Sequence, residues 1–392
     1  RERYLKQIRP FYDSDLIKII TGIRRCGKSI ILQPIQKELN EQNKNTIYLD
    51  FEDGRVKAKI KSVEDLIKYV DDNTSEGRYY LFFDEIQAIE NWQDACKTLR
   101  LNHSVFITGS NSKLLSKEFV KELSGRYVSF QIRPFVYKEL LEYGKELKKD
   151  ISVIDYLVWG GFPKRIEMQD SESQYRYLYE LNETIVYNDL INRYKIRKIE
   201  LFKQIVDYIL QSNSRIYSAN SIAKYIKQNN VSCSVNTIMN YISYLETAYV
   251  IESVDNYSTK IKRKLSYFKK IYNEDVALNS LRVIDNKFDL THNLENIVYL
   301  ELLYMGYTVT TYSNNGKEID FLAKKGNYKY FIQVSYSLLD EKTYKREFNA
   351  FKEADPLIKK IIISNDELDY STSMVKHLQF KQFLLLNSLE EI

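Results

Sequence analysis

The chain has 392 residues, of which 44% are hydrophobic and 28% charged, with a formal net charge of +5. That length exceeds what one small core needs, so two or three domains are expected. No apolar run is long enough to span a bilayer, and no secretory signal is visible at the start.

The weakly basic balance permits an anionic partner without demanding one. Three scattered cysteines, Cys26, Cys96 and Cys233, show neither disulfide nor zinc spacing, which suits a reducing cytoplasm. The first residue is Arg1 rather than Met, so the native start is expected to lie upstream.

Ile17 to Ile20 is a short β-branched run, as in a buried parallel strand. It leads into Gly22-Ile23-Arg24-Arg25-Cys26-Gly27-Lys28-Ser29, and Ile30 to Leu39 reads as a helix. Strand, glycine-rich loop and helix form the setting that the GxxxxGK[ST] pattern requires. Gly22 and Gly27 let the backbone curl so that its N–H groups point at phosphate oxygens. The helix N-terminus adds partial positive charge. Lys28 reaches the β- and γ-phosphates, and Ser29 can ligate Mg²⁺. Gly22, Ile23, Arg24, Arg25, Cys26, Gly27, Lys28, Ser29 and Ile30 are therefore the candidate ATP-binding residues.

Tyr79 to Phe83 is an apolar strand ending in Asp84-Glu85. Acids at the C-terminal edge of a neighbouring parallel strand lie beside the phosphate loop. Asp84 is the candidate Mg²⁺ ligand with Ser29. Glu85 is the candidate residue that polarises the attacking water. A third strand, Ser104 to Thr108, ends in Gly109-Ser110-Asn111, where Ser110 or Asn111 could contact the γ-phosphate or the water. An ordinary turn and helix cap is the competing reading. Arg126 precedes the strand Tyr127 to Ile132, from which it could reach a neighbouring subunit's γ-phosphate in trans. A plain surface arginine is the alternative.

Ile20 to Ser29, Phe82 to Gln87 and Ile107 to Ser112 together resemble the prokaryotic AAA-type ATPases that carry a C-terminal DUF4143 region. The resemblance continues through Tyr156-Leu-Val-Trp-Gly-Gly-Phe-Pro163. It implies an AAA+ module, then a winged-helix region, then a nuclease-like domain. By it, Ser110 or Asn111 looks like sensor 1 and Arg126 like an arginine finger.

Beyond Lys149 long helical patterns begin, at Tyr175 to Tyr194 and Ile199 to Ser212. Ala219 to Gln228 and Ser234 to Thr247 follow as two helices around a turn, then Val250 to Val254 and Lys262 to Tyr272 as a hairpin. This order is a winged-helix arrangement. Its second helix would present Asn236, Thr237, Asn240 and Ser243 to a DNA groove, with Lys260, Lys262, Arg263, Lys264, Lys269 and Lys270 on the wing. Winged helices also serve protein interaction, and a basic run is often a solvated hairpin.

Leu294 to Leu303 reads as a helix. Strands follow at Thr308 to Tyr312, Asp320 to Ala323 and Tyr328 to Val334, with a turn at Gly326-Asn327. A helix Lys342 to Lys352 and a strand Lys360 to Ser364 complete an order similar to the PD-(D/E)xK nuclease fold. Active members gather a divalent metal with an Asp and a Glu-x-Lys. Here Asp320 takes the first position and Glu295 could assist, but the second reads Gln333-Val-Ser335. Glu295, Asp320 and Gln333 thus form a vestigial candidate metal site, and the departure argues against cleavage.

The expected class is α/β: a P-loop NTPase with a parallel sheet flanked by helices over residues 1–149, a helical and winged-helix region over 150–285, and a small α/β nuclease-like domain over 286–392. The expected function is Mg-dependent ATP binding and hydrolysis by an oligomer that transmits nucleotide state to its later modules, on DNA or on a protein partner. The alternatives are an ATP-gated, metal-dependent nuclease and a nucleotide-gated binding switch with little turnover.

Overall fold

A computed structural model describes residues 1–109, 123, 125–228, 233–257, 269–283, 285, 287–314 and 317–392. The chain divides into two units, residues 1–134 with 247–249 and residues 135–246 with 250–392.

Among the described residues, the first unit holds five strands: β1 (Ile17–Thr21), β2 (Asn45–Asp50), β3 (Tyr79–Asp84), β4 (Ser104–Gly109) and β5 (Tyr127–Gln131). They pair in parallel in the order β2-β3-β4-β1-β5. β1, β3 and β4 lie inside the sheet, and nearly every residue of each is buried, as their continuous apolar runs require. The helices Val63–Asp72 and Trp92–Leu99 set Leu66, Val70, Ala95 and Leu99 into a core with Ile17, Ile19, Leu81, Phe83, Val105 and Ile107. Phe82 stacks on Phe106 with ring centroids 4.8 Å apart, and Tyr48 stacks on Phe82 at 6.5 Å. These rings form a ladder across three adjacent strands.

In the second unit, β6 (Ile216–Tyr217), β7 (Ile251–Val254) and β9 (Lys269–Asn273) form an antiparallel sheet in the order β6-β9-β7. Its neighbours in sequence are the helices Ile199–Gln211, Ala219–Gln228 and Val235–Thr247. A second sheet takes β8 (Asn256–Tyr257), β10 (Thr308–Asn314), β11 (Lys317–Lys325), β12 (Tyr328–Ser335), β13 (Lys359–Ser364) and β14 (Val375–Gln379), in the order β14-β13-β12-β11-β10-β8. β10, β11 and β12 run antiparallel, while β12, β13 and β14 run parallel. The helix Leu290–Tyr304 is buried nearly all round: every residue from Asn293 to Leu302 is buried, Glu295 and Glu301 included. It is a central helix, sharing one core with Phe321, Tyr330, Ile332 and Ile361.

The expected single helix over Tyr175 to Tyr194 is interrupted. Helix Ser171–Asn182 passes through a π segment, Glu183–Asn188, into helix Asp189–Tyr194. Within it the Thr184 hydroxyl donates to the Glu180 carbonyl at 2.9 Å, a side-chain bond that competes with the helical ladder. The strand expected from Lys262 is described only over Lys269–Asn273.

Candidate functional site

The loop after β1 is set by two backbone demands. Gly22 has φ 143°, and a Cβ there would lie 2.0 Å from the Ile132 carbonyl oxygen. Only glycine lets the loop pass so close to the chain leaving β5. Gly27, at φ 101°, stands at the N-cap of the helix Lys28–Glu41. The Cys26 thiol donates to the Ile132 carbonyl at 3.1 Å, which fixes the loop from beneath. The first-turn N–H groups of Lys28, Ser29 and Ile30 have no partner inside the helix, and they converge with the helix dipole on the loop.

Lys28 is 4% exposed. Its Nζ lies 3.3 Å from the Ile23 carbonyl, to which it donates, and 3.8 Å from Glu85 Oε1. The loop lysine and the strand-end glutamate are therefore brought together, although 57 positions apart in sequence.

Asp84 ends β3 and is buried. One carboxylate oxygen accepts the Tyr48 hydroxyl at 2.8 Å, and the other accepts the Thr108 hydroxyl. Thr108 in turn accepts the Glu85 backbone N–H at 2.9 Å. Glu85 has φ 52°, and its carboxylate accepts the Gln87 side-chain amide. The left-handed backbone at a non-glycine residue is a local strain, held here by the Thr108 bond. Burial and the neighbouring Asp84 charge hold the Tyr48 phenol protonated.

Ser29, half-buried in the first turn, and Asp84 supply hard oxygen donors, the set a divalent cation such as Mg²⁺ takes. The glycine-lined cradle and this donor set fit a Mg-nucleotide. Of the predicted residues, Gly22 to Ile30, Asp84 and Glu85 thus share one edge of the sheet. Ser110 and Asn111 lie outside the described residues. Arg126 is exposed, and its carbonyl accepts the Ile17 N–H at 3.0 Å. It stands where β1 begins, at the edge opposite the loop. Sequence reasoning missed Tyr48 and the role of the Thr108 hydroxyl. A tyrosine on an edge strand carries no local mark, and only strand register sets it beside Asp84.

The C-terminal candidate metal site is corrected by its geometry. Lys270 Nζ lies 2.8 Å from Glu295, 3.1 Å from Asp320 and 3.4 Å from Glu318. An ammonium thus sits between the carboxylates that were to hold a cation. Burial alone would pull Lys270 down, but Asp320, Glu295 and Glu318 outweigh it and hold the ammonium above its ordinary range. Burial, and next the Asp320 charge, pushes Glu295 up to about 8. Asp320 accepts the Val334 N–H at 2.9 Å, and Gln333 Oε1 accepts the Asp320 N–H at 3.2 Å. The Gln333 amide donates to Glu347 at 2.7 Å. These donors are committed within the protein and do not fit a metal. Among the described residues no group of three or more His, Cys, Asp or Glu is placed to hold one.

The expected basic wing is corrected at Lys270. Lys270 is buried in that cluster, and Lys269 pairs with Asp255 at 3.2 Å. Lys260, Lys262, Arg263 and Lys264 lie outside the described residues. On the helix Val235–Thr247, Asn236, Asn240 and Ser243 are exposed, and Thr237 is half-buried with its N–H on the Ser234 hydroxyl.

Residues 14–141 match the family described as AAA domain, and residues 151–287 match a domain of unknown function, DUF8612. The second match replaces the expected DUF4143 assignment over residues 151–287; the region expected to be nuclease-like, 286–392, lies almost wholly beyond it. Two relatives align over most of the chain. An uncharacterized protein of Haemophilus influenzae is 31% identical over 350 residues, covering 86% of this chain and 87% of its own. An uncharacterized protein of Methanocaldococcus jannaschii is 35% identical over 378 residues, covering 90% and 82%. Among solved structures, the Walker-type ATPase of Pyrococcus abyssi superposes with a TM-score of 0.50 at 16% identity, covering 72% of this chain and 95% of that one. The parallel sheet has the P-loop NTPase fold. Among the described residues, no helix is long and apolar enough to cross a membrane.

Proposed function

The chain belongs to one family with these Haemophilus and Methanocaldococcus relatives and carries an AAA domain over residues 14–141, and on that premise we propose that it binds Mg-ATP at residues 22–30 and hydrolyses it. The observation that carries this reading is the meeting of Lys28 with Asp84 and Glu85 at one sheet edge, Lys28 Nζ being 3.8 Å from Glu85. A pure nucleotide holder needs no second acid beside the lysine. Glu85 is the group to take a proton from an attacking water. Lys28 and the N–H groups of the first helical turn bind and orient the phosphates. Ser29 and Asp84 would hold Mg²⁺, which when bound neutralises phosphate charge.

Arg126, exposed at the opposite edge of the same sheet, supports a role toward a neighbouring subunit's nucleotide, and so a homo-oligomer. Residues 199–273 support a winged-helix reading: helix, β6, two helices, β7 and β9. The exposed Asn236, Asn240 and Ser243 are what favours a DNA groove as the partner; a protein partner is the second reading, favoured by the pairing of Lys269 and burial of Lys270. Cys26, Cys96 and Cys233 form no disulfide, which suits a cytoplasmic setting.

The test is steady-state ATP turnover by wild type and Glu85→Gln, with and without duplex DNA, alongside nucleotide binding. Turnover lost in Glu85→Gln with binding kept is the expected result. Equal turnover in both chains would remove Glu85 from the reaction. DNA that stimulates turnover favours the groove reading, and indifference to DNA favours the protein partner.

A further inference from the structure

Asp84 is held from both sides by strands that flank β3. On one side the register sets Phe83 against Ile107, so Thr108 of β4 stands next to Asp84. On the other it sets Tyr48 against Phe82, so Tyr48 of β2 is the diagonal neighbour two residues back on the same face. The two hydroxyls reach different oxygens of one carboxylate. A carboxylate has about four lone-pair sites, so two remain for other partners.

We propose that the Tyr48 hydroxyl is a positioning residue that holds the Asp84 carboxylate for a divalent cation, and that it thereby sets the cation affinity of the nucleotide site. The inference rests on the nucleotide-site reading above. The Tyr48 ring is held independently of its hydroxyl, by stacking on Phe82, which itself stacks on Phe106. Its hydroxyl is thus presented by a fixed ring to a buried acid, to which it donates at 2.8 Å. Thr108 works from the other side and links two functions. It donates to Asp84 and accepts from the Glu85 backbone, so the cation ligand and the water-polarising residue are tied through one hydroxyl. With Tyr48 removed, the carboxylate keeps a single anchor and can turn about its Cβ–Cγ bond.

Because the ring packing is separate, Tyr48→Phe deletes only the hydroxyl. The experiment titrates Mn²⁺ into the full chain with a non-hydrolysable fluorescent ATP analogue, and measures analogue affinity in EDTA as a control. Tyr48→Phe is expected to raise the half-saturating Mn²⁺ by about fivefold, the loss of one hydrogen bond to a charged group shared with remaining anchors. Metal-free affinity and the melting temperature stay near wild type. In an Asp84→Asn background the Tyr48→Phe effect disappears, because Tyr48 acts through that carboxylate. Thr108→Ser, which keeps a hydroxyl, retains the wild-type midpoint. A Tyr48→Phe chain with unchanged Mn²⁺ dependence, or an effect that persists in Asp84→Asn, overturns the inference alone. A wild-type chain that binds no analogue with or without Mn²⁺ overturns it together with the nucleotide-site reading.

Discussion

The Lys270 ammonium lies 2.8 Å from the Glu295 carboxylate, with both side chains almost wholly removed from water. Tyr272 completes the arrangement by donating to the same carboxylate at 2.7 Å. The pair joins β9 of the three-stranded sheet to the central helix Leu290–Tyr304. Lys270→Met would leave Glu295 and Asp320 buried without their cation, at a cost of roughly 3–5 kcal/mol. Urea unfolding at two pH values checks this. The loss should be larger at pH 8 than at pH 5, where Glu295 can take up a proton. An equal loss at both would mean that charge is not the cause.

Glu301 carries a second pH effect. It is buried on the central helix, accepting the Tyr137 N–H at 3.0 Å and the Tyr156 hydroxyl at 3.4 Å, with Glu139 and Lys138 nearby. Burial pushes it up to about 8. Its folded pKa thus lies above that of an unfolded glutamate, so the folded chain binds the proton more tightly. The stabilisation is complete below the ordinary glutamate range and is lost as pH rises through about 8. Glu295 acts in the same direction. Melting at pH 5 should exceed that at pH 8.5 by about 3 °C or more. Glu301→Gln, which keeps an acceptor for Tyr137, should melt above wild type at pH 8.5 and show a shallower pH slope. A steeper slope would contradict the assignment.

Gly160 has no room for a side chain. Its φ is 64°, and a Cβ would lie 1.7 Å from Asp275 Oδ1. The same carboxylate accepts the Gly161 and Ala277 N–H groups at 2.7 and 2.8 Å, while the buried Arg165 guanidinium donates to the Gly160 carbonyl at 2.6 Å. Gly160→Ala should destabilise the second unit by about 2–4 kcal/mol, through strain at a left-handed position and displacement of a buried acid. An unmoved denaturation midpoint would show that this loop yields more easily than its packing implies.

Lys28→Ala should abolish tight ATP binding measured by calorimetry, because it removes the ammonium held between the loop carbonyl of Ile23 and Glu85. Retained affinity would sink the phosphate-loop assignment.

Arg126→Ala should slow hydrolysis only where subunits assemble. Turnover per subunit, followed against protein concentration, should rise for wild type and stay flat for the variant. Identical curves would leave Arg126 as an ordinary surface residue.

The candidate phosphate loop was legible because its requirements are contiguous. Strand, Gly22, Gly27, Lys28, Ser29 and helix fall within a few turns of chain, and the glycines carry their backbone needs in their identity. Asp84 and Glu85 were legible for a related reason, since an apolar strand ending in two acids is itself a pattern. The C-terminal candidates, expected as a vestigial cation site, do stand together, Asp320 and Gln333 being joined by a hydrogen bond, but with an ammonium among the acids. Nothing near them in sequence reveals that Lys270, 50 positions from Asp320, fills the space between the acids. The same lysine had been counted as a wing residue, because a run of Lys and Arg looks uniformly solvated until strand register turns one of them inward.

By itself, the sequence marked the candidate phosphate loop, the acid pair and much of the helix and strand order of the later regions, though not β6, β8 or β14. Each feature it marked depends on periodicity or on residue types a few positions apart. Tertiary structure alone decided which side chains stand beside those acids. Strand pairing brings Tyr48 and Thr108, 36 and 24 positions away, onto the two oxygens of Asp84. It also places one ammonium between Glu295 and Asp320. The reason is that local pattern specifies which face of a strand a side chain takes, whereas its partners follow from sheet order and register, set by the whole core at once.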